Sequence, residues 1–388
     1  MMLDRPGRIV ITCNKRLAPL LEKEVAGLGL KPARVFATGV ELNGTIADCI
    51  KLNLNLRCAS QVLYSLREFK CNSPEDVYRE VSHYAWENVI EETGYFSVTS
   101  HVDHFTVNNP LYVNVKVKDA IVDRFRKRTG QRPNSGSELD KLVLHLYWKE
   151  DRAELFLDTS GETLAKHGYR KIPGKAPMLE ALASATILAS KWDRQSPFVN
   201  PMCGSGTLAI EAALIATNRK PGLFRDNYSF MHAKGFPMQV YEAEKQLLID
   251  SIKHDDPPVV IASDISDDAI MISKSNAQMA GVEELIKFQL CDFEETKMPE
   301  QPGVVFINPE YGERLGDVQE LDATYARIGD FMKKKCQGYL GYIFTGNLDL
   351  AKKIGLKASR RIEFYSAKLD CRLLEYEMYA GSKRQKSD

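Results

Sequence analysis

Along the first 68 residues, apolar and polar positions follow strand spacing and helix spacing in turn. The apolar run at residues 8–12 is typical of a strand, and apolar residues at helical spacing follow it. A strand pair at 33–43, a helix at 45–58 and an alternating strand at 59–69 complete the pattern. We therefore predict that residues 1–68 form a small α+β unit of ferredoxin-like character.

A second succession of helices and strands covers residues 69–160. A helix opens the segment, a strand follows at 96–100, and residues 114–128 carry apolar side chains on one helical side. Two further strands, at 142–147 and 153–158, are spaced to pair as a hairpin. This pattern predicts a second small α+β unit.

The predicted helix at 114–128 and the residues just after it are strongly basic. Seven basic residues stand against two aspartates in this run: Lys116, Lys118, Arg124, Arg126, Lys127, Arg128 and Arg132. Such a run is either a solvated helix face or a surface that contacts RNA phosphates. The formal net charge of the chain is zero, so a polyanion would have to be bound by a local patch of this kind.

Residues 161–177 have the composition of a linker, and residues 178–388 form a third predicted domain. Short apolar strands alternate there with helical patterns, which predicts a doubly wound, mostly parallel α/β sheet. A long insertion at 217–257 follows the first strand and its helix. The predicted strands lie at 197–199, 259–264, 286–292, 304–307, 338–344, 361–366 and 374–379. Ligands of such sheets bind at the carboxyl ends of the strands.

The stretch 196–213 joins a strand, a tight glycine loop and a helix. The glycines permit a sharp turn, and the helix N-terminus presents N–H groups to a polar ligand. A nucleoside triphosphate would need a lysine where Thr207 stands. A dinucleotide would need an acid at the next strand end, and Asp226, at about the right distance, does not end a strand. The third candidate is S-adenosyl-L-methionine (SAM).

Two acids at the next strand ends favour an adenosine-containing cofactor such as SAM. Asp264 can accept hydrogen bonds from both ribose hydroxyls of an adenosine. Asp292 can accept from the adenine amino group, with Phe293 packing on the ring. Each acid could instead cap the helix that follows it.

The fourth strand of this domain ends in Asn308-Pro309-Glu310-Tyr311. A planar exocyclic amine is a poor nucleophile because its lone pair is delocalised into the base. The Asn308 amide oxygen and the Pro309 carbonyl can accept its two N–H bonds, and Tyr311 can stack on an extruded base. The alternative interpretation is an ordinary Asn-Pro turn.

Cysteine usage and the lack of targeting signals indicate a reduced, cytoplasmic protein. The eight cysteines contain no CxxC pair, so we predict no zinc cluster, no other metal site and no disulfide framework. His101 and His104 are expected to be a solvated pair near a strand end. We find no signal peptide and no apolar run long enough to span a membrane, so no membrane partner is expected.

Taken together, these motifs resemble the THUMP-domain SAM-dependent RNA methyltransferases, especially the bacterial 23S rRNA guanine-N2 methyltransferases. The resemblance covers nearly the whole chain, and the family-like stretches are 164–177, 200–213, 220–225, 308–315 and 369–371. It implies a ferredoxin-like unit and a THUMP domain that captures RNA, followed by a Rossmann-like methyltransferase domain. It also implies methyl transfer from SAM to guanine N2 in large-subunit rRNA or its precursor. Some family members carry a second methyltransferase domain, and from its length we expect this chain to hold only one.

The resemblance also implies site residues. The expected catalytic residues are Asn308, Pro309 and Tyr311. The expected SAM-binding residues are Asn200, Pro201, Cys203, Gly204, Ser205, Gly206, Thr207, Asp264, Ile265, Asp292, Phe293 and Asn308. The expected RNA contacts are the seven basic residues of the 116–132 run together with Tyr169 and Arg170.

Two residues depart from the family pattern. The first motif usually begins with Asp where this chain has Asn200, and the fourth is usually Asn-Pro-Pro-Tyr where this chain has Glu310. The amine acceptors are retained, so we expect an active but slow enzyme. Two alternatives stay open: the same fold acting on adenine N6 or tRNA guanine N2, and an RNA-binding or assembly factor with weakened catalysis.

Overall fold

The structure, a computed structural model, describes residues 5–172, 177–311 and 318–379. Its strands are β1 (Gly7–Thr12), β2 (Arg34–Phe36), β3 (Gly39–Gly44), β4 (Gln61–Lys70), β5 (Tyr95–Asp103), β6 (Asn134–Gly136), β7 (Leu142–Lys149), β8 (Arg152–Asp158), β9 (Phe198–Pro201), β10 (Val260–Asp264), β11 (Ile286–Leu290), β12 (Val304–Ile307), β13 (Leu340–Thr345), β14 (Arg360–Ser366) and β15 (Leu369–Glu377). Its helices are α1 (Ala18–Gly27), α2 (Ile46–Asn55), α3 (Pro74–Ser82), α4 (Pro110–Thr129), α5 (Glu180–Ala189), α6 (Thr207–Ala216), α7 (Met238–Asp250), α8 (Asp267–Met279), α9 (Val318–Lys335) and α10 (Leu348–Lys353). Parts of two family-like stretches, 173–176 and 312–315, lie outside the described residues.

Eight of the described strands form one mixed sheet, in the order β2-β3-β1-β4-β8-β7-β5-β6. This sheet runs through both N-terminal units that the sequence predicts. The two units are joined because β4 pairs antiparallel with β1 on one side and with β8 on the other. The hairpin predicted for 142–158 is confirmed, since β7 and β8 pair antiparallel.

Helix α4 extends further than the sequence pattern predicts. It begins after Asn109, whose side chain accepts a hydrogen bond from the Leu111 amide, and Pro110 occupies its first turn. It ends at Gly130, which takes the left-handed conformation typical of a helix C-cap. One helix face is buried, by Val113, Val117, Ala120, Ile121, Val122 and Phe125. Burial of this face leaves most of the basic residues on the opposite side.

Seven strands form the second sheet, in the order β11-β10-β9-β12-β13-β15-β14. The first five of these are parallel, and β15 runs antiparallel to both β13 and β14. The predicted doubly wound, mostly parallel sheet is therefore confirmed. The chain turns from one direction across the sheet to the other between β9 and β12, which is where ligands of such sheets bind.

Part of the predicted insertion belongs with the N-terminal sheet. The described residues form two compact units, of which the first holds residues up to Asn14, Leu21–Leu164 and Pro221–Ile249. The second unit holds Lys15–Leu20, Ala165–Lys220 and the described residues from Asp250 onward. Within the described residues, no helix is long and apolar enough to cross a membrane.

Two residues of the family-like stretch 220–225 attach this insertion to the first unit. Gly222 packs so closely on α2 that a Cβ there would lie 2.5 Å from the Leu54 Cα. The Arg225 guanidinium donates hydrogen bonds to the carbonyls of Ser160, Glu162 and Thr163. Beyond them, four aromatic rings pack together: Tyr228, Phe230, Phe236 and Tyr241. These contacts explain the glycine and the arginine of this stretch as structural residues.

Candidate active site

The glycine loop between β9 and α6 has the backbone that its sequence predicts. Gly204 and Gly206 have φ values of 54° and 81°, and Met202, between them and the strand, has 61°. Glycine tolerates this left-handed conformation, whereas it strains methionine. A Cβ on Gly206 would lie 2.0 Å from Ser273 Oγ of α8, so this position requires glycine for space as well. Gly206 is the N-cap of α6 and provides no side chain to bond the first N–H groups of the helix.

Asp264 ends β10 and connects that strand to the glycine loop. One carboxylate oxygen accepts from the Gly204 amide at 2.9 Å, and the other accepts from the Ser266 amide at 3.0 Å. Ser266, rather than Asp264, is the N-cap of α8. Because a carboxylate can accept about four hydrogen bonds, Asp264 retains acceptor capacity for the hydroxyls of a bound ligand.

Two amide side chains lie at the ends of the central strands β9 and β12. Asn200 is 1% exposed, and its Nδ2 donates to the Phe306 carbonyl at 2.8 Å, which ties the two strands together. An aspartate carboxylate could not donate this hydrogen bond, which gives a structural reason for asparagine rather than aspartate at position 200. The Oδ1 atoms of Asn200 and Asn308 are both buried without a hydrogen-bond donor among the described residues. Such acceptors are costly unless a ligand or water supplies the missing donor.

Asp292 lies two residues beyond the end of β11, not at its end as predicted. Both carboxylate oxygens accept from Arg327 Nη2 at 2.8 Å, and one also accepts from the Glu294 amide. Partial burial would raise the pKa of Asp292, but these hydrogen bonds outweigh it, so its pKa is lowered. The bond from the Glu294 amide makes Asp292 the cap of the short helical turn that follows it. An adenine amino group that binds here would share the carboxylate with Arg327.

Phe293 is 6% exposed, so little of its ring is left for the adenine on which we expected it to pack. Its ring packs at 90° to Phe331, and the Arg327 guanidinium lies 4.8 Å from its centroid. The ring therefore belongs to the core. Sequence reasoning missed Arg327, because it lies on α9, 35 residues after its partner, with no local motif around it.

The remaining predicted SAM-binding residues differ in exposure. Ile265, directly after Asp264, is 73% exposed and offers an apolar surface next to that carboxylate. Pro201, Ser205 and Thr207 are buried. Burial raises the pKa of the Cys203 thiol to about 12, so it is protonated at neutral pH and is no nucleophile. At the end of β12, Pro309 is buried, Tyr311 is half-buried and Glu310 is exposed.

Two linker residues that we expected to contact RNA are held by other parts of the protein; Tyr169 is buried and the Arg170 side chain is 10% exposed. Tyr169 is 1% exposed and its hydroxyl donates to Glu211 of α6 at 2.8 Å. Arg170 forms an ion pair with Glu180 at 2.7 Å and lies 3.4 Å from Thr207 Oγ1 of the glycine loop. These contacts leave little of either side chain exposed for RNA. Their partners lie 42 and 10 residues away, so the basic composition of the linker was misleading.

A second contact holds the linker beside the glycine loop. Asn276 of α8 donates from Nδ2 to the carbonyls of Ser205 and Ile172, at 3.2 and 3.1 Å. Sequence reasoning did not find Asn276, because nothing in α8 distinguishes it from a solvated asparagine. The linker is thus attached to the loop by Arg170 on one side and by Asn276 on the other.

The basic run of α4 separates into structural and exposed residues. Arg124 donates to both carboxylate oxygens of Glu87, and its side chain is 12% exposed, so its guanidinium already has a protein partner. Lys116 pairs with Glu75 at 3.1 Å, and Lys118 is half-buried. The exposed members of the run are Arg126, Lys127, Arg128 and Arg132.

The predicted histidine pair lies at the end of β5 and stacks on aromatic rings of β7. His101 stacks on Tyr147, and His104 stacks on Trp148.

Family models match the three parts of the chain in order. An RlmL ferredoxin-like domain model matches residues 8–63, a THUMP domain model matches 71–158, and an RMKL-like methyltransferase domain model matches 167–375. The order of domains that the resemblance implied is confirmed. Their bounds at 68, 160 and 177 stay predictions.

The chain is also similar to individual proteins. The ribosomal RNA large subunit methyltransferase K/L of Syntrophotalea carbinolica is 34% identical over an alignment of 389 positions, which covers 97% of this chain and 54% of that protein. The chain spans about half the length of the curated relatives it matches. The crystal structure of SMU.472 complexed with SAH is 27% identical with a TM-score of 0.88 and covers 98% of this chain and all of that one. A Listeria monocytogenes structure, named as a predicted N6-adenine-specific DNA methylase, is 31% identical with a TM-score of 0.86 over 96% of this chain and 97% of that one.

Proposed function

Because the chain belongs to the RMKL-like methyltransferase family, we propose that it transfers a methyl group from SAM to the exocyclic N2 amine of a guanine in 23S rRNA. The substrate is the large-subunit rRNA or its precursor. The observation that carries this proposal is the buried Oδ1 of Asn308, which has no donor among the described residues. An N–H of the target amine supplies the donor that this oxygen lacks.

The residues at the strand ends fit SAM as the cofactor. The glycine loop and the start of α6 accommodate its polar end, and Asp264 accepts from its ribose hydroxyls. The second buried oxygen without a donor, Oδ1 of Asn200, suits the ammonium group of the cofactor. Ile265 provides an apolar surface for the adenine in place of the buried Phe293. When bound, the cofactor supplies a methyl group activated by a positively charged sulfur.

The residues after β12 prepare the amine for attack. Asn308 Oδ1 and the Pro309 carbonyl accept its two N–H bonds, which draws the nitrogen lone pair out of the base ring. Tyr311, half-buried at the same strand end, stacks on the extruded base. With SAM bound, the nitrogen lone pair would form the new N–C bond as the methyl–sulfur bond breaks, which would leave neutral S-adenosylhomocysteine. The proton that the amine loses would pass to solvent. The amino group of adenine can donate the same hydrogen bonds, and its ring can stack on Tyr311 in the same way. Asn308, Pro309 and Tyr311 alone therefore do not select guanine over adenine.

The direct test is methyl transfer from labelled SAM to large-subunit rRNA from a strain that lacks the gene. The product is digested and the modified nucleoside is identified by mass. Recovery of N2-methylguanosine supports the proposal. Recovery of N6-methyladenosine keeps the fold and mechanism but changes the base, and methylation of tRNA alone changes the RNA. Binding of SAM without transfer to any RNA would contradict the proposal and favour an RNA-binding role.

Charge reversal at the end of α4 should weaken RNA binding. The variant replaces Arg126, Lys127 and Arg128 by glutamate, because these side chains are exposed. If all three contact phosphates, the slope of log K against log salt becomes shallower by about 2 to 3. The matched control replaces Lys333, Lys334 and Lys335, which end α9 in the same way. Equal loss of affinity in both variants, measured by RNA titration at several salt concentrations, would count against an RNA-binding α4.

Restoring proline at position 310 should leave activity unchanged or raise it. Glu310 is exposed and is not one of the amine acceptors, whereas proline stiffens the turn that carries Pro309 and Tyr311. The measurement is kcat/KM for rRNA methylation by Glu310→Pro, with Glu310→Ala as the control for loss of the carboxylate. A complete loss of activity in Glu310→Pro alone would show that this loop needs the freedom that glutamate allows.

A further inference from the structure

The ring of Tyr311 lies against the backbone that follows β13. A Cβ added to Gly346 would be 3.1 Å from two ring carbons of Tyr311, Cδ2 and Cε2. That distance is shorter than an ordinary van der Waals contact of about 3.5 Å or more. The ring therefore occupies space that is free only because residue 346 is a glycine.

Cys371 of β15 lies beside the same ring. The Cβ added to Gly346 would be 3.3 Å from the Cys371 Sγ as well as 3.1 Å from the ring, so the thiol and the ring border the same space. Burial raises the pKa of the Cys371 thiol, and the nearby Tyr311 side chain lowers it in part. Cys371 is 0% exposed, and its neighbour Arg372 pairs with Thr345 across the sheet. This placement gives a role to the family-like stretch 369–371, which the methyl-transfer chemistry itself does not use.

The backbone at Gly346 is held on both sides. Thr345 Oγ1 bonds to the Tyr325 hydroxyl at 2.9 Å and accepts from the Asn347 amide at 3.1 Å. Asn347 caps α10, and its side chain accepts from the amides of Asp349 and Leu350. A methyl group at position 346 would therefore displace the ring of Tyr311 rather than the backbone.

We propose that Gly346 and Cys371 are positioning residues that fix the ring of Tyr311 for the target base. Gly346 provides the space, and the Cys371 side chain bounds that space on the β15 side. The inference rests on the proposed function, in which Tyr311 stacks on the base. Neither residue touches the cofactor or the reacting nitrogen in this scheme.

A double-mutant cycle in methyl transfer tests this role. Gly346→Ala should lower kcat/KM for rRNA by about 10-fold, because the ring has to move by a few tenths of an ångström and a full 1 Å misplacement can cost about 100-fold. In the Tyr311→Ala background the same change should have no further effect, because the added methyl then has room. SAM affinity should be unchanged. Gly27→Ala is the matched control, since a Cβ there meets nothing within 4 Å.

Cys371→Ala provides a second cycle in case Gly346→Ala does not fold. It should lower kcat/KM several-fold with Tyr311 present and leave Tyr311→Ala unaffected. The inference would be overturned if Gly346→Ala and Cys371→Ala lowered kcat/KM by the same factor in the Tyr311→Ala background as with Tyr311 present. It would also be overturned if the single variants had unchanged kcat/KM. Either result would leave the proposed function intact. Absence of methyl transfer by the wild-type protein would instead overturn the proposed function, and this inference with it.

Discussion

Replacing Asn308 by alanine should lower kcat for methyl transfer by roughly 100-fold or more, a loss typical of removing one preorganised hydrogen-bonding group from an active site. Its Oδ1 is buried and has no donor among the residues described, so the oxygen is already desolvated for an incoming N–H. The measurement is single-turnover and steady-state methyl transfer to 23S rRNA. SAM affinity, measured by calorimetry, should fall much less than kcat, because the glycine loop and Asp264 are unchanged.

The control for this prediction is Asn308→Asp, which keeps an acceptor oxygen at the same position. It should retain more activity than the alanine variant. The interpretation of Asn308-Pro309 as an ordinary turn predicts a different result, in which both variants transfer methyl at close to the wild-type rate. Near-wild-type kcat in Asn308→Ala would therefore refute the role of this oxygen and remove the observation on which the proposed function depends.

The sequence predicted the parts of the site that are encoded locally. The strand, the glycine loop and the start of α6 are adjacent in the chain, and their conformations follow from the glycines themselves. Asp264 ends its strand as predicted, because a buried apolar run followed by an acid specifies both the strand and its end. The parallel sheet then brings these ends together, so the alternation of strands and helices was sufficient to predict where the site lies.

The sequence did not predict which polar and charged side chains are enclosed by the protein. Tyr169 and Arg170 lie in a basic linker that suggests a solvated surface, yet Glu211 and Glu180 bind them inside the second unit. Arg124 was misassigned for the same reason, since Glu87 lies 37 residues before it. An ion pair between distant elements depends on tertiary packing, and neither periodicity nor local charge reports it.

Long-range pairing also limited the prediction of domain organisation. The N-terminal sheet is continuous because β4 pairs with β8, whose residues follow it by about 90 positions. Likewise, Pro221–Ile249 packs with the first unit although its neighbours in sequence belong to the second. A pattern of apolar residues indicates that a strand or helix has a face to bury, but it does not indicate which other element covers that face.

Glu211 is the buried carboxylate that connects the linker to the helix of the glycine loop. It is 0% exposed and accepts from His167 Nδ1 at 2.7 Å, from the Tyr169 hydroxyl at 2.8 Å and from Ser184 Oγ. His167 and Tyr169 belong to the family-like stretch 164–177, and Ser184 lies on α5. One side chain of α6 thus satisfies donors from two other segments, and this explains the histidine and tyrosine of that stretch.

Replacing Glu211 by alanine should destabilise the second unit by about 3–5 kcal/mol, because it leaves buried donors without their acceptor. Against a typical domain stability of about 5–15 kcal/mol, this loss is large. The measurement is urea unfolding, followed in the transition of the second unit; Glu211→Gln, which keeps one acceptor oxygen, should lose less. The control is Glu363→Ala, whose ion pair with Arg16 is half-exposed and contributes about 1 kcal/mol or less. If Glu211→Ala were no more destabilising than Glu363→Ala, the linker would not be held to α6 by this carboxylate.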